Sequence, residues 1–326
     1  MCTAATYQTN NFYFGRTLDC DRNYGEKVTI APRNFCFRFL FQGEMKTHYA
    51  IIGMAHISEE YPLYYDAMNE KGLCIAGLNF VGNAAYFPEK KGLVNLAQFE
   101  LIPFLLGKCA SVDEVEKWLR KINITPHTFK GFSLAELHWI VADKHRAITV
   151  ECEKDGMKIY DNPIGILTNN PPFPVQTFKL NDYMMLSNVS PSNLFSNRLE
   201  LKPYSYGMGA MGLPGDLSSS SRFVRAAFHK FHSVSGESEE ESVNQFFHLL
   251  GSVEQIKGSC QTEEGGYEKT EYTSCCSADR GIYYYTTYAN HQITAVNLFC
   301  EDLNSDRLIA FSLRKEEWIR FENGRG

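Results

Sequence analysis

Apolar positions along the chain follow two rhythms. From residue 2 to about residue 80, runs of aromatic and β-branched residues are broken by turn formers, the pattern of short strands. Cys2–Tyr7 and Phe12–Gly15 are such runs, parted by a turn at Thr9-Asn10-Asn11. Val28–Ala31, Phe35–Phe41 and Tyr49–Met54 follow, and after a turn over Met68–Gly72 comes a strand at Leu73–Phe80. The period then changes. Ser111 and Glu114 have the spacing of a capping box, and Val112, Val115, Trp118, Leu119 and Ile122 recur on one helical face behind them. Leu137–Ala142, Ala147–Cys152 and Met157–Tyr160 read as a strand meander. Helical spacing returns over Arg222–Phe231 and Glu239–Leu250, the second opened by Ser238 and Glu241 and stopped by Gly251. The acidic run Glu237–Glu241 suits a helix N-terminus. Tyr267–Ser274, Ile282–Tyr288, Ile293–Leu298 and Leu308–Ser312 close the chain as strands.

Strands, helices, strands, helices, strands is not the regular alternation of a doubly wound sheet. It suits an α+β arrangement of two antiparallel sheets packed together with helices outside. No internal repeat or low-complexity linker divides the chain. Residues 188–207 are rich in Ser, Asn and Pro, yet the patterns on both sides belong to one unit, expected to run over residues 2–326 once Met1 is removed.

Composition narrows the function. The 326 residues are 44% apolar and 21% charged, which excludes disorder and fibrous architectures. Net charge is −6 and the densest basic patch is Lys144-His145-Arg146, so nucleic acid is not the expected partner. The most apolar helix-like stretch, Leu101–Leu106, is far short of a membrane span, and residues 1–20 lack the basic start and apolar core of a signal peptide. A cytoplasmic location is expected. None of the ten cysteines forms a C-x-x-C pair, and all but Cys2 read as small buried hydrophobes, with Cys275 and Cys276 on opposite faces of a strand.

Several motifs lack their context. Gly207-Met-Gly209-Ala-Met-Gly212 fits G-x-G-x-x-G, but Leu213-Pro214-Gly215 follows it instead of a helix, so it reads as a glycine loop. His229 and His232 share a helical face with no third ligand nearby, and no metal or cofactor is expected. Cys2 is different. If Met1 is removed, the cysteine carries a free α-amino group beside its thiol. With a pKa of about 7.7–8.0 such an amine is partly neutral at working pH and acts as general base for its own side chain. Arg16 and Asp19 place a cation and a carboxylate one hairpin away; an ion pair there is the plain structural alternative.

Met1-Cys2-Thr3, Phe14-Gly15-Arg16 with Asp19, Asn69–Leu73, Ala76–Phe80, Leu167–Pro171, Gly212–Asp216 and Ser221-Arg222-Phe223 occur in an order that resembles the choloylglycine hydrolases, the bile salt hydrolases and penicillin V acylases of bacteria. The resemblance runs from residue 2 to about residue 300. It implies an αββα N-terminal nucleophile hydrolase with Cys2 as nucleophile, its α-amino group as proton shuttle, and a thioester intermediate released by water. By the same resemblance Asp19 holds the amino group, Arg16 stabilises the thiolate, and Arg222 completes the polar network. The Asn169 side chain and the Asn79 backbone N–H serve the oxyanion. Asn79 is the type found in bile salt hydrolases, where penicillin V acylases often carry Tyr, so a glycine- or taurine-conjugated bile salt is the expected substrate. Leu18, Phe129, Phe132 and Leu137 are the candidate steroid contacts, residues 188–207 match the subunit-assembly region of a homotetramer, and Cys2 is expected to be an exposed, easily oxidised thiol. An acylase for penicillin V or N-acyl homoserine lactones is the first rival; a non-catalytic binding protein on the same fold is the second.

Overall fold

The computed structural model describes residues 1–324. Cys2–Gln8 (β1) and Phe12–Cys20 (β2) pair as an antiparallel hairpin, with Cys2 opposite Leu18 and Ala4 opposite Arg16. In chain order β3 (Lys27–Ala31), β4 (Phe37–Phe39), β5 (Gly43–Met45), β6 (Ile51–Ser58), β7 (Tyr61–Asn69), β8 (Cys74–Asn79) and β9 (Val94–Ala97) follow. Helices α1 (Leu101–Lys108) and α2 (Val112–Leu119) lead to β10 (Ile122–Thr125), β11 (Leu137–Ala142), β12 (Ala147–Glu153), β13 (Gly156–Asp161) and β14 (Ile166–Leu167). Then come α3 (Phe173–Lys179), α4 (Ser219–His232), α5 (Glu239–Gly251), β15 (Lys269–Ser277), β16 (Ile282–Thr287), β17 (Asn290–Asn297) and β18 (Ile309–Ser312).

Two large antiparallel sheets result. The six-stranded sheet runs β14-β1-β2-β15-β16-β17 and the eight-stranded sheet β13-β12-β11-β8-β7-β6-β3-β18. One core cluster joins their facing sides: Ala4, Phe14 and Cys276 from one sheet meet Ile52, Cys74 and Ala76 from the other. Helices α4 and α5 cover the outside of the six-stranded sheet. The other sheet packs its outer side on α1 and α2, where Trp139 and Val141 join Leu105 and Val115 in a second cluster. Four layers, helices–sheet–sheet–helices, are the expected sandwich.

Burial explains the strands at the site. Every residue of β1 but Gln8 is buried, because sheet and helices cover both faces. Close approach is built in at Gly15, where an added Cβ would lie 1.9 Å from the Ser274 carbonyl oxygen on β15. Helix α5 opens on a complete capping box: Glu241 N–H donates to Ser238 Oγ, and Ser238 N–H donates to Glu241.

Several boundaries differ from expectation. Ser111 does cap α2, but the Glu114 carboxylate accepts from Ala110 N–H, one residue before the cap. Ile122 is not on that helix; it starts β10, which pairs in parallel with β9. Phe35–Phe41 narrows to three paired residues in β4, and β7 lies where no strand was read. Gly251 is the last residue of α5 itself, followed by Ser252 in right-handed helical conformation. The cysteines divide: Cys74, Cys109, Cys152, Cys275 and Cys276 are buried, while Cys20, Cys36 and Cys260 are half-buried and Cys300 is exposed.

Candidate active site

The site forms where the start of β1 meets an opening in the eight-stranded sheet. Strand β7 pairs with β8 only as far as Ala76. Beyond it the β8 edge is free of strand partners, and its carbonyls are taken by side chains. Arg16 Nη1 donates to the Gly77 carbonyl at 2.6 Å, and Asn169 Nδ2 donates to the Asn79 carbonyl at 2.8 Å. On the opposite edge Phe80 N–H donates to Glu136 oxygen, so by strand alternation the Asn79 N–H faces the same opening as its carbonyl.

Alternation along β2 sends Arg16 and Asp19 to opposite faces. Arg16 reaches between the sheets to Gly77 and to the Tyr65 carbonyl, 3.3 Å from Nη1. Asp19 faces the helices, where Thr270 Oγ1 donates to Oδ1 at 2.7 Å and Thr17 Oγ1 to Oδ2 at 3.3 Å. They are therefore not the ion pair of the plain alternative. Cys2, opposite Leu18, shares the inner face and is a diagonal neighbour of Arg16.

Arg222 approaches from α4. Its Nη1 donates to the Cys2 carbonyl at 2.5 Å and to Thr3 Oγ1 at 2.7 Å, and its Nη2 donates to Asn169 Oδ1 at 2.7 Å. That same Oδ1 accepts the Cys2 N–H at 2.9 Å. Asn169 is thus fixed at both ends, with the N–H group expected for an oxyanion resting on Asn79. Met1 continues β1 outward. Its amino group donates to the Asp19 carbonyl at 2.6 Å and to Glu268 at 3.1 and 3.2 Å.

Burial sets the electrostatics. For Arg16 it disfavours the charge, yet Cys2, Tyr272, Asp66 and Asp19 more than offset it, and the pKa stands above the ordinary guanidinium value. Arg222 shows the reverse: burial dominates and lowers its pKa despite Asp19 and Cys2. Desolvation likewise opposes the Met1 ammonium, but Cys2, Asp19 and Glu268 raise its pKa. Cys2 itself is only 3% exposed, so the expected exposed thiol is instead a buried one beneath Met1.

Leu18 is buried opposite Cys2, and Leu137 pairs with Asn79 across the strands. Leu137 and Phe129 also pack on the outer core cluster; Phe129 sits 5.7 Å from Tyr61 and 5.3 Å from Phe99 between ring centroids. Phe132, partly exposed, meets His56 edge-on. The reading of the sequence missed a second tier. Asp66, fully buried between the sheets, accepts from Tyr272 at 2.6 Å, Tyr283 at 2.7 Å and Ser274 at 3.0 Å, and Ser274 Oγ accepts the Arg16 N–H. Burial raises the Asp66 pKa, and Arg16 and the three hydroxyls pull against it. Only the acidic residue inside an apolar strand, Asp66 in β7, signalled this network. Among the described residues no group of His, Cys, Asp and Glu is arranged to hold a metal ion, and no helix is long and apolar enough to cross a membrane.

Two facing antiparallel sheets with outer helices, opening on a cysteine at position 2, define the N-terminal nucleophile hydrolase fold. The chain matches the linear amide C–N hydrolases of the choloylglycine hydrolase family over residues 2–311 and belongs to that family of amide hydrolases. It is 55% identical to a bile salt hydrolase/transferase of Lactiplantibacillus plantarum, over 97% of this chain and 98% of that one. A bile salt hydrolase/transferase of Clostridium perfringens is 34% identical over 99% of this chain and 100% of its own. The crystal structure of a mutant conjugated bile acid hydrolase from Clostridium perfringens superposes with a TM-score of 0.92 at 33% identity, covering 99% and 100% of the two chains. Penicillin V acylase from Agrobacterium tumefaciens shares the fold, with a TM-score of 0.74 at 18% identity over 98% and 100%.

Proposed function

We propose that this chain, once Met1 is removed, hydrolyses the amide bond of glycine- or taurine-conjugated bile salts with Cys2 as nucleophile. The observation that carries the reading is the convergence of Arg222 and Asn169 on the backbone of Cys2. A second residue would not need two side chains clamping its carbonyl and N–H unless its position mattered. The identity with the bile salt hydrolase of Lactiplantibacillus plantarum supports the substrate class.

The geometry supports the following mechanism. Loss of Met1 turns the Cys2 amide nitrogen into an amine held by Asn169 Oδ1, with Asp19 on the adjoining strand as its anionic neighbour. The amine takes the thiol proton, and the sulfur attacks the amide carbonyl. Arg16 supplies positive charge beside the sulfur. Charge developing on the carbonyl oxygen meets the free Asn79 N–H and the Asn169 amide, which exchanges its contact with the Asn79 carbonyl for the oxyanion. The amine then protonates the departing glycine or taurine nitrogen. Water attacks the thioester, returns a proton to the amine, and releases the bile acid. Leu18, Phe129, Phe132 and Leu137 are the proposed steroid contacts.

The protein is further proposed to be one catalytic unit, to act in the cytoplasm, and to assemble as a homotetramer. All ten cysteines are unpaired, which fits a reducing compartment. Met184, Met185, Leu194, Phe195, Tyr204 and Tyr206 are exposed on the segment between α3 and α4, an apolar surface suited to subunit contact.

The test is kcat/KM for glycocholate, taurocholate and penicillin V on protein whose mass shows Met1 removed. Preference for the bile salts is expected, with Cys2→Ala folded but inactive. Preference for penicillin V would overturn the substrate. Wild-type turnover by Cys2→Ala would overturn the nucleophile.

A further inference from the structure

Behind the two asparagines lies a buried titratable pair that the proposed reaction does not use. His138 on β11 and Glu151 on β12 are both fully buried, with Nδ1 3.0 Å from Oε1. On the other side of the ring, Nε2 lies 3.0 Å from the carbonyl oxygen of Thr168, the residue before Asn169. A carbonyl only accepts, so Nε2 carries a proton. Nδ1 faces a carboxyl oxygen, so a second proton lies between those two atoms, borne by one or the other. The imidazole also lies flat on Phe80, the residue after Asn79, with centroids 4.4 Å apart and planes 7° from parallel. Glu151 in turn accepts the Phe173 N–H at 3.0 Å, anchoring the far end of the turn that carries Asn169.

One ring therefore touches the chain neighbour of each asparagine. We infer that His138 and Glu151 are positioning residues that set the spacing between Asn79 and Asn169, and with it the opening where the oxyanion forms. This rests on the amide-hydrolase reading of Cys2. The rest of the turn is already held from its other side: Ser219 Oγ accepts the Asn169 N–H at 2.8 Å, and Gln176 Nε2 donates to the Asn169 carbonyl at 2.5 Å. The asparagines of the turn also reach the Asn79 side directly, Asn169 donating to the Asn79 carbonyl and Asn170 to the Val81 carbonyl at 2.6 Å, and the His138 ring backs both sides at once through Thr168 and Phe80. A purely structural pair would satisfy buried groups and affect stability alone; a positioning pair also affects kcat in protein that stays folded.

Three variants separate these roles. His138→Phe keeps the stack on Phe80 and removes both ring nitrogens, but strands Glu151 in the core. The double variant His138→Phe/Glu151→Leu removes both titratable groups together, so that no charge is stranded, and leaves the Thr168 carbonyl and the Phe173 N–H without their partners, which costs some stability. Glu151→Gln keeps the clamp, because its amide donates to Nδ1 while Nε2–H stays on Thr168. Assayed well below its lowered melting temperature, the double variant should hydrolyse glycocholate with an unchanged KM and kcat about 10- to 100-fold down, the scale of a sub-ångström to 1 Å misplacement. Glu151→Gln should restore kcat to within about threefold of wild type, as expected where the hydrogen-bond geometry survives. Nitrogen-15 histidine spectra of the wild type should show a protected Nε2–H resonance that is lost in His138→Phe. A folded double variant with wild-type kcat, or the absence of that resonance, would overturn the inference. A wild type with Met1 removed that shows the resonance yet cleaves no amide would instead overturn the reading of Cys2.

Discussion

Arg222 bridges two residues that the chain separates widely, donating to the Cys2 carbonyl at 2.5 Å and to Asn169 Oδ1 at 2.7 Å. The bridge needs a planar fork. A lysine offers a point charge at the end of a flexible stem and cannot hold both acceptors in fixed geometry. Arg222→Lys is therefore expected to lower kcat/KM for glycocholate by about 10²-fold or more, comparable to losing one preorganised donor. Steady-state kinetics beside a thermal melt checks this; a stable Arg222→Lys with wild-type kinetics would show that the bridge has no part in the reaction.

Met1 stands ahead of Cys2 at the start of β1. Its amino group is held by Glu268 and the Asp19 carbonyl, and its removal leaves those groups free to face the new terminus at Cys2. Protein made with an uncleavable residue ahead of Cys2 should fold yet show no turnover, because an amide nitrogen is no base. Intact mass, a melting curve and glycocholate hydrolysis on the same preparation test this. Turnover by protein with a blocked terminus would remove the amine from the mechanism.

The layered sandwich was legible because strand and helix periods are separated along the chain, and α5 because its capping box is complete. The hidden parts share a cause. Strands covered on both faces do not alternate, so β7 showed no period of two and its Asp66 drew no reading. Cys2, Arg16, Asp19, Asn79, Asn169 and Arg222 all lie around the start of β1, Asp19 on the helix-facing side of the sheet. What the sequence did not reveal was the division of labour: Arg16 and Asp19 look like a pair in the chain, and alternation sends them to opposite faces of the sheet. The supporting tier is non-local. Asp66 finds partners on β15 and β16, and His138 finds Thr168 across two sheets, at separations no spacing rule covers.

Asp66 balances Arg16. Asp66→Asn keeps the shape, removes the charge, and leaves one amide N–H group aimed at hydroxyl donors. Breaking a buried charge arrangement from one side costs about 3–5 kcal/mol. Tyr272→Phe or Tyr283→Phe removes one hydrogen bond to a charged group and should cost about 1.5–3 kcal/mol. Urea unfolding followed by fluorescence gives all three values. A smaller loss in Asp66→Asn than in either tyrosine variant would mean that the hydroxyls, and not the charge, hold the sheets together here.

Lys230 provides a pH signature independent of the active site. Its ammonium is mostly buried on α4, donating to Thr6 Oγ1 and the Ile164 carbonyl, both at 2.6 Å, with no carboxylate bonded to it among the described residues. Burial lowers its pKa from 10.5 to about 8. Between these values the unfolded chain holds the proton and the folded chain has released it, so stability from this group rises with pH across the window from about 8 to 10.5. Tyrosines and cysteines whose pKa values are raised by burial oppose that trend in the same range, so the comparison must be with Lys230→Met, which lacks only this group. The unfolding free energy of the wild type minus that of Lys230→Met should increase from pH 8 to pH 10.5 by up to about 3 kcal/mol, less whatever residual hydration screens. A difference that stays flat across that window would mean that Lys230 keeps its proton in the folded protein.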